Sequence, residues 1–160
     1  MHKITPFLWF DDQAEEAMRF YVSIFENSKV LEVSAGPNGK AMIVRFELEG
    51  QPFMALNAGP KFTFTEAISF FVSCTTQAEV DELWAKVTAD GEEGSCGWAK
   101  DRYGLWWQIV PTALGELMGD PDPAKSKRVM DAMLTMHKID IASLQRAHDQ
   151  GWADPTILRP

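Results

Sequence analysis

Three things are scarce in this sequence: cysteine, histidine and clustered positive charge. Cysteine occurs twice, as Cys74 and Cys96, far apart and without the spacing of a zinc site. Two reduced, buried thiols are expected rather than a disulfide; Cys74, ahead of a helix start, has the alternative of a lowered pKa. Histidine occurs three times, at the terminus (His2) and in the C-terminal part (His137, His148). That distribution offers no cluster to ligate a metal and no partner to activate Ser69 or Ser73 as a nucleophile. Lys and Arg number 15 against 23 Asp and Glu, a net charge of −8. An acidic surface repels phosphate backbones, so nucleic acid is excluded as a partner. The densest basic cluster, Lys125, Lys127 and Arg128, reads as the solvated face of a helix. No apolar run reaches membrane length, and Met1-His2-Lys3-Ile4 leads into a strand rather than an apolar leader. These absences predict a cytoplasmic protein with no membrane partner.

Aromatic side chains, by contrast, are plentiful. Six Trp and ten Phe in 160 residues need a large interior or an interface to house them. The densest stretch is GWAKDRYGLWWQIVP, Gly97–Pro111. It reads as two β-prone runs, Trp98–Lys100 and Leu105–Val110, joined by the turn Asp101-Arg102-Tyr103-Gly104. Alternation sends Leu105, Trp107 and Ile109 to one face and Trp106, Gln108 and Val110 to the other. Both faces are largely apolar, which predicts a central strand covered on both sides. Gln108 is then either a core amide satisfied by neighbouring backbone or a polar group pointing into a ligand cavity. The sequence leaves both open.

Along the chain, Ile4–Phe10 is a predicted strand, followed by a helix over about Gln13–Phe25. Asp12 and Glu15 have the spacing of a capping box, and Ala14, Ala17, Met18, Tyr21, Ile24 and Phe25 form the apolar stripe. Strands are expected at Lys29–Ala35, Ala41–Leu48 and Pro52–Asn57, with turns at Gly36–Gly39 and Glu49-Gly50. After a connector at Ala58–Thr65, a strand (Ala67–Cys74) and a second helix to about Ala89 repeat the order, with Thr76 and Glu79 as the cap. Gln13-Ala14-Glu15 returns 64 residues on as Gln77-Ala78-Glu79, and Phe7 meets Phe71 at the same offset. Matching Pro52–Asn57 to Leu105–Val110 needs an offset of 53, so the second copy is shorter by about a hairpin. The fold class is α+β: two βαβββ-type modules, about residues 1–58 and 66–111, with curved mixed sheets around a cleft. A helical extension occupies 112–160, with a short helical turn at Ala113–Met118 and helices near Ala124–His137 and Asp140–Asp149. Val129, Met130, Met133, Leu134 and Met136 are its expected apolar side, and Trp152–Pro160 is read as an arm or loose tail.

Three runs carry a family resemblance: ITPFLWFDDQAEEAMRFY from Ile4, GWAKDRYGLWWQIVP, and PDPAKSKRVMDAMLTMHKIDIASL from Pro121. Together they resemble the PhnB-like branch of the vicinal-oxygen-chelate superfamily, which includes glyoxalase I, extradiol dioxygenases and bleomycin-resistance proteins. The branch is often labelled demethylubiquinone methyltransferase. The resemblance implies paired βαβββ modules enclosing a cleft, in a homodimer; the Met-rich apolar side of the helix Ala124–His137 suits the irregular contact of such an interface. In metal-using members four side chains from the curved sheets hold a divalent ion. Carried over by register, those positions are Thr5, Ala55, Ser69 and Gln108, none a His or a carboxylate, so no metal and no cofactor is expected. The cleft face is expected to carry Thr5, Phe7 and Trp9 from the first strand, with Phe53, Ala55 and Asn57 from the fourth. Ser69, Phe71 and Ser73 with Trp106 and Gln108 complete it, an aromatic wall with a few polar groups. The functional expectation is metal-independent binding of a small apolar or aromatic molecule. The alternative is an enzyme of the glyoxalase or dioxygenase kind with a non-standard site, its catalytic residues unknown; a third reading is a structural dimer with a filled cleft. Methyl transfer fits least, since no Gly-x-Gly turn follows a strand.

Overall fold

The computed structural model describes residues 3–150. They fall into two compact units that join in sequence at Phe64 and Thr65.

In the first unit, strand β1 (Phe7–Phe10) leads into helix α1 (Ala14–Ile24), then β2 (Lys29–Ala35), β3 (Ala41–Leu48) and β4 (Gln51–Asn57). β1 starts three residues later than expected. Pro6 has no N–H to give, and it enters the sheet only through its carbonyl, which accepts from Met54 N at 2.9 Å. The sheet order is β1-β4-β3-β2, with β1 parallel to β4 and the other pairs antiparallel. Glu49 and Gly50, at φ of 47° and 77°, close the β3–β4 hairpin with the left-handed pair that a two-residue turn between twisted strands requires. The apolar stripe of α1 is buried as its spacing predicts: Ala14, Ala17, Met18, Tyr21 and Ile24, with Phe25 just beyond. Phe46 lies 6.3 Å from Tyr21 and stacks on Phe53 at 5.4 Å, so the core of this unit is an aromatic column.

The second unit repeats the plan with β5 (Phe70–Cys74), α2 (Gln77–Thr88), β6 (Glu92–Glu93), β7 (Trp98–Lys100) and β8 (Trp106–Pro111). Its order is β5-β8-β7-β6, with β5 parallel to β8. Element order, strand order and parallel pairing all coincide with the first unit, so the repeat in the sequence is a repeat of fold. The shortening sits in β6 and β7, of two and three residues, where β2 and β3 have seven and eight. No strand is predicted where β6 lies, between the second helix and Trp98. Val80, Leu83, Trp84 and Val87 of α2 are buried on the predicted face.

Helices α3 (Thr112–Met118), α4 (Pro123–Met133) and α5 (Ile141–Gln150) belong to the second unit. Leu114, Val129, Ala132, Ile139, Leu144 and Ala147 form their core. α4 stops at Met133 rather than His137; of the expected apolar side, Val129, Met133 and Met136 pack into this core, while Met130 and Leu134 are exposed. The helices dock on the sheet through backbone: Cys96 N and Gly97 N donate to Met136 O and His137 O, each at 2.8 Å. Gly97 has φ +85°, and a Cβ there would stand 2.8 Å from Ile109 O, so this approach needs glycine. The expected tail at Trp152–Pro160 lies outside the described residues.

Candidate functional site

Strand register decides which predicted site residues share a face. In the second unit the register puts the predicted residues of β5 and β8 on one face. Phe71 lies opposite Gln108 across β5 and β8, and Gln108 lies opposite Trp98 across β8 and β7. Trp106 lies opposite Lys100 one step along. These side chains occupy the face away from α2, while Trp107, Ile109 and Ala99 are buried on the helix side. Gln108 Nε2 donates to Ser69 Oγ at 2.9 Å, so the amide is met by a side-chain hydroxyl rather than by core backbone. Trp98 and Trp106 meet edge to face at 6.2 Å, and Phe71 keeps 60% of its surface exposed. Lys100 Nζ lies over the Trp106 ring at 5.6 Å and pairs with Glu92 at 2.5 Å. Trp98 is not among the expected cleft residues, because the three residues of β7 are too few to show alternation; the register places it and Lys100 on this face.

In the first unit the expected face divides. Phe7 lies opposite Met54, and Leu8 opposite Ala55. Phe7 and Trp9 therefore share the open face with Met54 and Leu56, while Phe53, Ala55 and Asn57 lie on the helix-covered face. Phe53 and Ala55 are buried core. Asn57 is structural: its Oδ1 accepts from Ala14 N at 2.7 Å, capping α1, and its Nδ2 donates to Ala41 O at 3.0 Å. The proposed Asp12–Glu15 box is thus replaced by a cap from β4. Trp9 donates to Gly59 O at 2.8 Å and meets Phe62 edge to face, while Phe64 meets Phe10 on the other side of the strand. Residues 58–64 so straddle the edge strand β1.

The register also corrects the repeat. Phe7 is to Met54 as Phe71 is to Gln108, so the last strands match at an offset of 54, and Met54 replaces Ala55 as the counterpart of Gln108. Thr5 and Ser69 each stand just ahead of their strand. The donors at the four family positions are two hydroxyls, a thioether and an amide. That set does not fit a hard or borderline divalent ion, which needs imidazole, thiolate or carboxylate. Among the described residues, no three His, Cys, Asp or Glu side chains converge to hold a metal.

Other polar groups have structural roles. Asp101, 1% exposed, accepts from Tyr103 N and Leu105 N through Oδ1 and from Trp107 Nε1 through Oδ2, all within 3.0 Å. Cys74 is fully buried, and burial, reinforced by the Glu79 carboxylate, pushes its thiol up to about 12, the opposite of an activated cysteine. His148 lies between two carboxylates, Nδ1 2.6 Å from Asp149 Oδ1 and Nε2 2.9 Å from Asp120 Oδ2. Those bonds, Asp149 first, raise the imidazole pKa, and His148 in turn helps lower both acids. An open depression of about 750 Å³ lies between the start of α1 and the β2–β3 hairpin, ringed by Asp11, Asp12, Glu15 and Lys40. It has no aromatic wall and is not the cavity the sequence points to.

The family model described as 3-demethylubiquinone-9 3-methyltransferase matches residues 2–110. The run from Pro121 lies beyond that match. The PhnB protein of Bacillus cereus, which carries the same methyltransferase label, is 35% identical over 69% of this chain and 100% of its own, with a TM-score of 0.66. The protein PA1353 of Pseudomonas aeruginosa is 18% identical over 69% of this chain and 96% of its own, with a TM-score of 0.57. The fosfomycin resistance protein FosX of Listeria monocytogenes is 14% identical over 72% and 94%, with a TM-score of 0.53. The last two show likeness of fold alone. No curated protein matches the chain. A duplicated βαβββ plan, a family match over both modules and a 35% identical relative place this chain in the PhnB-like family that carries the 3-demethylubiquinone-9 3-methyltransferase description.

Proposed function

We propose that this protein binds a small, largely planar apolar molecule without a metal, on the open sheet faces of its modules. The observation that carries the reading is the Ser69–Gln108 pair, 2.9 Å apart, framed by Phe71, Trp98 and Trp106 on the face away from α2, which the C-terminal helices meet at Val110. Aromatic walls with one oriented polar pair suit a ligand that is mostly ring, with a single hydrogen-bonding group. On the first unit, taken by itself, Thr5, Phe7 and Trp9 offer a second such surface, where Met54 and Leu56 add apolar area. The methyl transfer in the family's description is not carried over. Its common scaffold is a doubly wound sheet with a Gly-rich first turn, and both sheets here have another strand order.

The same reading includes a homodimer in the cytoplasm. Val30, Leu31 and Val33 of the edge strand β2, with Met42 beside it, are exposed apolar side chains that a second copy would cover. Cys74 and Cys96 are unpaired, as a reducing compartment favours. Light scattering at micromolar concentration should give twice the 18.0 kDa chain mass; a monomer counts against the pairing.

Gln108→Leu tests the binding site. The amide is part-exposed and its partner hydroxyl can turn to water, so stability should change by less than about 1 kcal/mol. Quenching of tryptophan fluorescence by N-phenyl-1-naphthylamine should weaken several-fold. A large loss of stability with unchanged dye binding would return Gln108 to the core and remove the reading.

A further inference from the structure

The open face of the second sheet carries a cation as well as rings, and its rows are ordered. Across the sheet run Phe71, Gln108 and Trp98, one from each of β5, β8 and β7. One step along, Trp106 and Lys100 lie side by side, with Ser69 just ahead of β5 on the flank. Neighbouring strands are about 4.8 Å apart, so the first row spans roughly 10 Å. The rows are separated by two residues, or about 6.8 Å. A flat ring system of one or two fused rings fits the first row, and an acidic group on that ring reaches the second.

Lys100 is the group that would receive it. Its side chain is 28% exposed, with the ammonium over the Trp106 ring and against Glu92, whose own side chain is 66% exposed. An ion pair with so exposed a partner contributes little, and an incoming anion can take the place of Glu92 at small cost. The aromatic face beneath keeps the ammonium poorly hydrated and positioned, which strengthens its attraction for an anion that shares the apolar surface. In a chain of net charge −8, a cation set on an aromatic face also discriminates. Dianionic or phosphate-rich molecules meet the surrounding negative field, whereas a compact monoanion on an aromatic ring brings its own hydrophobic contribution.

We propose that this face is a site for small aromatic monoanions, aryl carboxylates or sulfonates, with Lys100 taking the acid group, Phe71 and Trp98 flanking the ring, and Gln108 hydrogen-bonding a ring substituent. The proposal rests on the binding reading above and names its ligand class. Two dyes with one ring skeleton separate the two claims: 8-anilinonaphthalene-1-sulfonate, which is anionic, and N-phenyl-1-naphthylamine, which is neutral. Each is titrated by fluorescence into the full chain and into Lys100→Met, Lys100→Arg and Glu92→Gln, with circular dichroism confirming the fold. Lys100→Met should weaken the sulfonate about tenfold and leave the neutral dye within twofold; Lys100→Arg should restore most of the loss. Glu92→Gln, which frees the ammonium, should tighten the sulfonate several-fold, and it serves as the deciding variant if Lys100→Met does not fold. If both dyes bind and neither Lys100→Met nor Glu92→Gln changes their ratio, the anion site is refuted while the binding face stands. If neither dye binds the native chain, both readings fall.

Discussion

A single carboxylate closes the β7–β8 hairpin. Asp101 is buried yet keeps three donors satisfied, two turn amides and the Trp107 indole. Removing it strands those donors inside the protein. Asp101→Ala should therefore destabilise by about 3 kcal/mol or more, and Asp101→Asn, which keeps one acceptor oxygen, by about half that. Urea denaturation of the two variants measures both, and equal losses would mean that the charge rather than the acceptor count matters. Residues of this kind were the least legible in the sequence. Asp101 reads as an ordinary turn residue, because nothing local says that Trp107 will bring its N–H to it. Asn57 reads as a cleft residue until one knows that β1 pairs with β4 so that Phe7 faces Met54. A shift of one residue in that pairing exchanges the two faces of a strand. Alternation within β8 was reliable for the opposite reason: Leu105, Trp107 and Ile109 face a helix, and their periodicity alone fixes Gln108 on the other side.

At the scale of elements, helix existence and inward faces followed from spacing, whereas the cap of α1 did not. Thr76 caps α2 locally, accepting from Glu79 N at 3.2 Å. Asp140 caps α5 in the same way, accepting from Ser143 N at 2.7 Å, while Ile141 N is met by Gln77 Oε1, 64 residues away. Ala14 N of α1 is met by Asn57, 43 residues away, and a cap supplied across the fold leaves no local signature. Gln77 also donates to Ile139 O and Asp81 Oδ1, so it fastens α5 to α2. Gln77→Ala should cost about 1–2 kcal/mol and should speed hydrogen exchange at Ile141, while Thr76→Ala, costing about 1 kcal/mol, should leave that amide unchanged. The far end of α5 responds to pH. With a carboxylate at each ring nitrogen, the imidazolium form of His148 is favoured, and its raised pKa means that the stabilisation is fully present below roughly pH 6.5. It is lost as pH rises through the elevated value. Asp149 and Asp120, whose pKa values are lowered, contribute above the ordinary carboxylate range and lose that contribution as pH falls through their lowered values. Lys125, 3.6 Å from Asp120, opposes the imidazolium and trims its shift. Denaturation midpoints should therefore decline as pH rises above about 6.5, and His148→Gln should flatten that slope. An equal slope in the variant would assign the pH dependence elsewhere.

For the molecule as a whole, the duplicated plan was legible because both copies spell it in the same order, down to Gln-Ala-Glu at each helix start. What the second copy omitted was legible only as a length, since β6 and β7 are too short to show alternation. The C-terminal helices were visible as helices but not as part of the second unit, whose backbone at Cys96 and Gly97 and side chain at Gln77 they complete. Ending the chain after Pro111 should expose Val110 and leave those backbone donors to solvent. Hydrogen exchange in β5, β7 and β8 should accelerate strongly, while β3 and β4 of the first unit should keep most of their protection. Uniform loss across both units would mean that they do not hold their structure separately.

The placement of the two cysteines gives the protein a pair of internal clocks. Both lie in the second unit, and the first has none. Cys74, buried and with its thiol held near 12, reacts with an alkylating reagent only when β5 and α2 come apart. Cys96 is half-buried, its Sγ 3.6 Å from Met133 O, so its labelling follows smaller, local openings beside the end of α4. Timing the two adducts in one native sample would therefore record two openings of the same unit, against a first unit that stays silent.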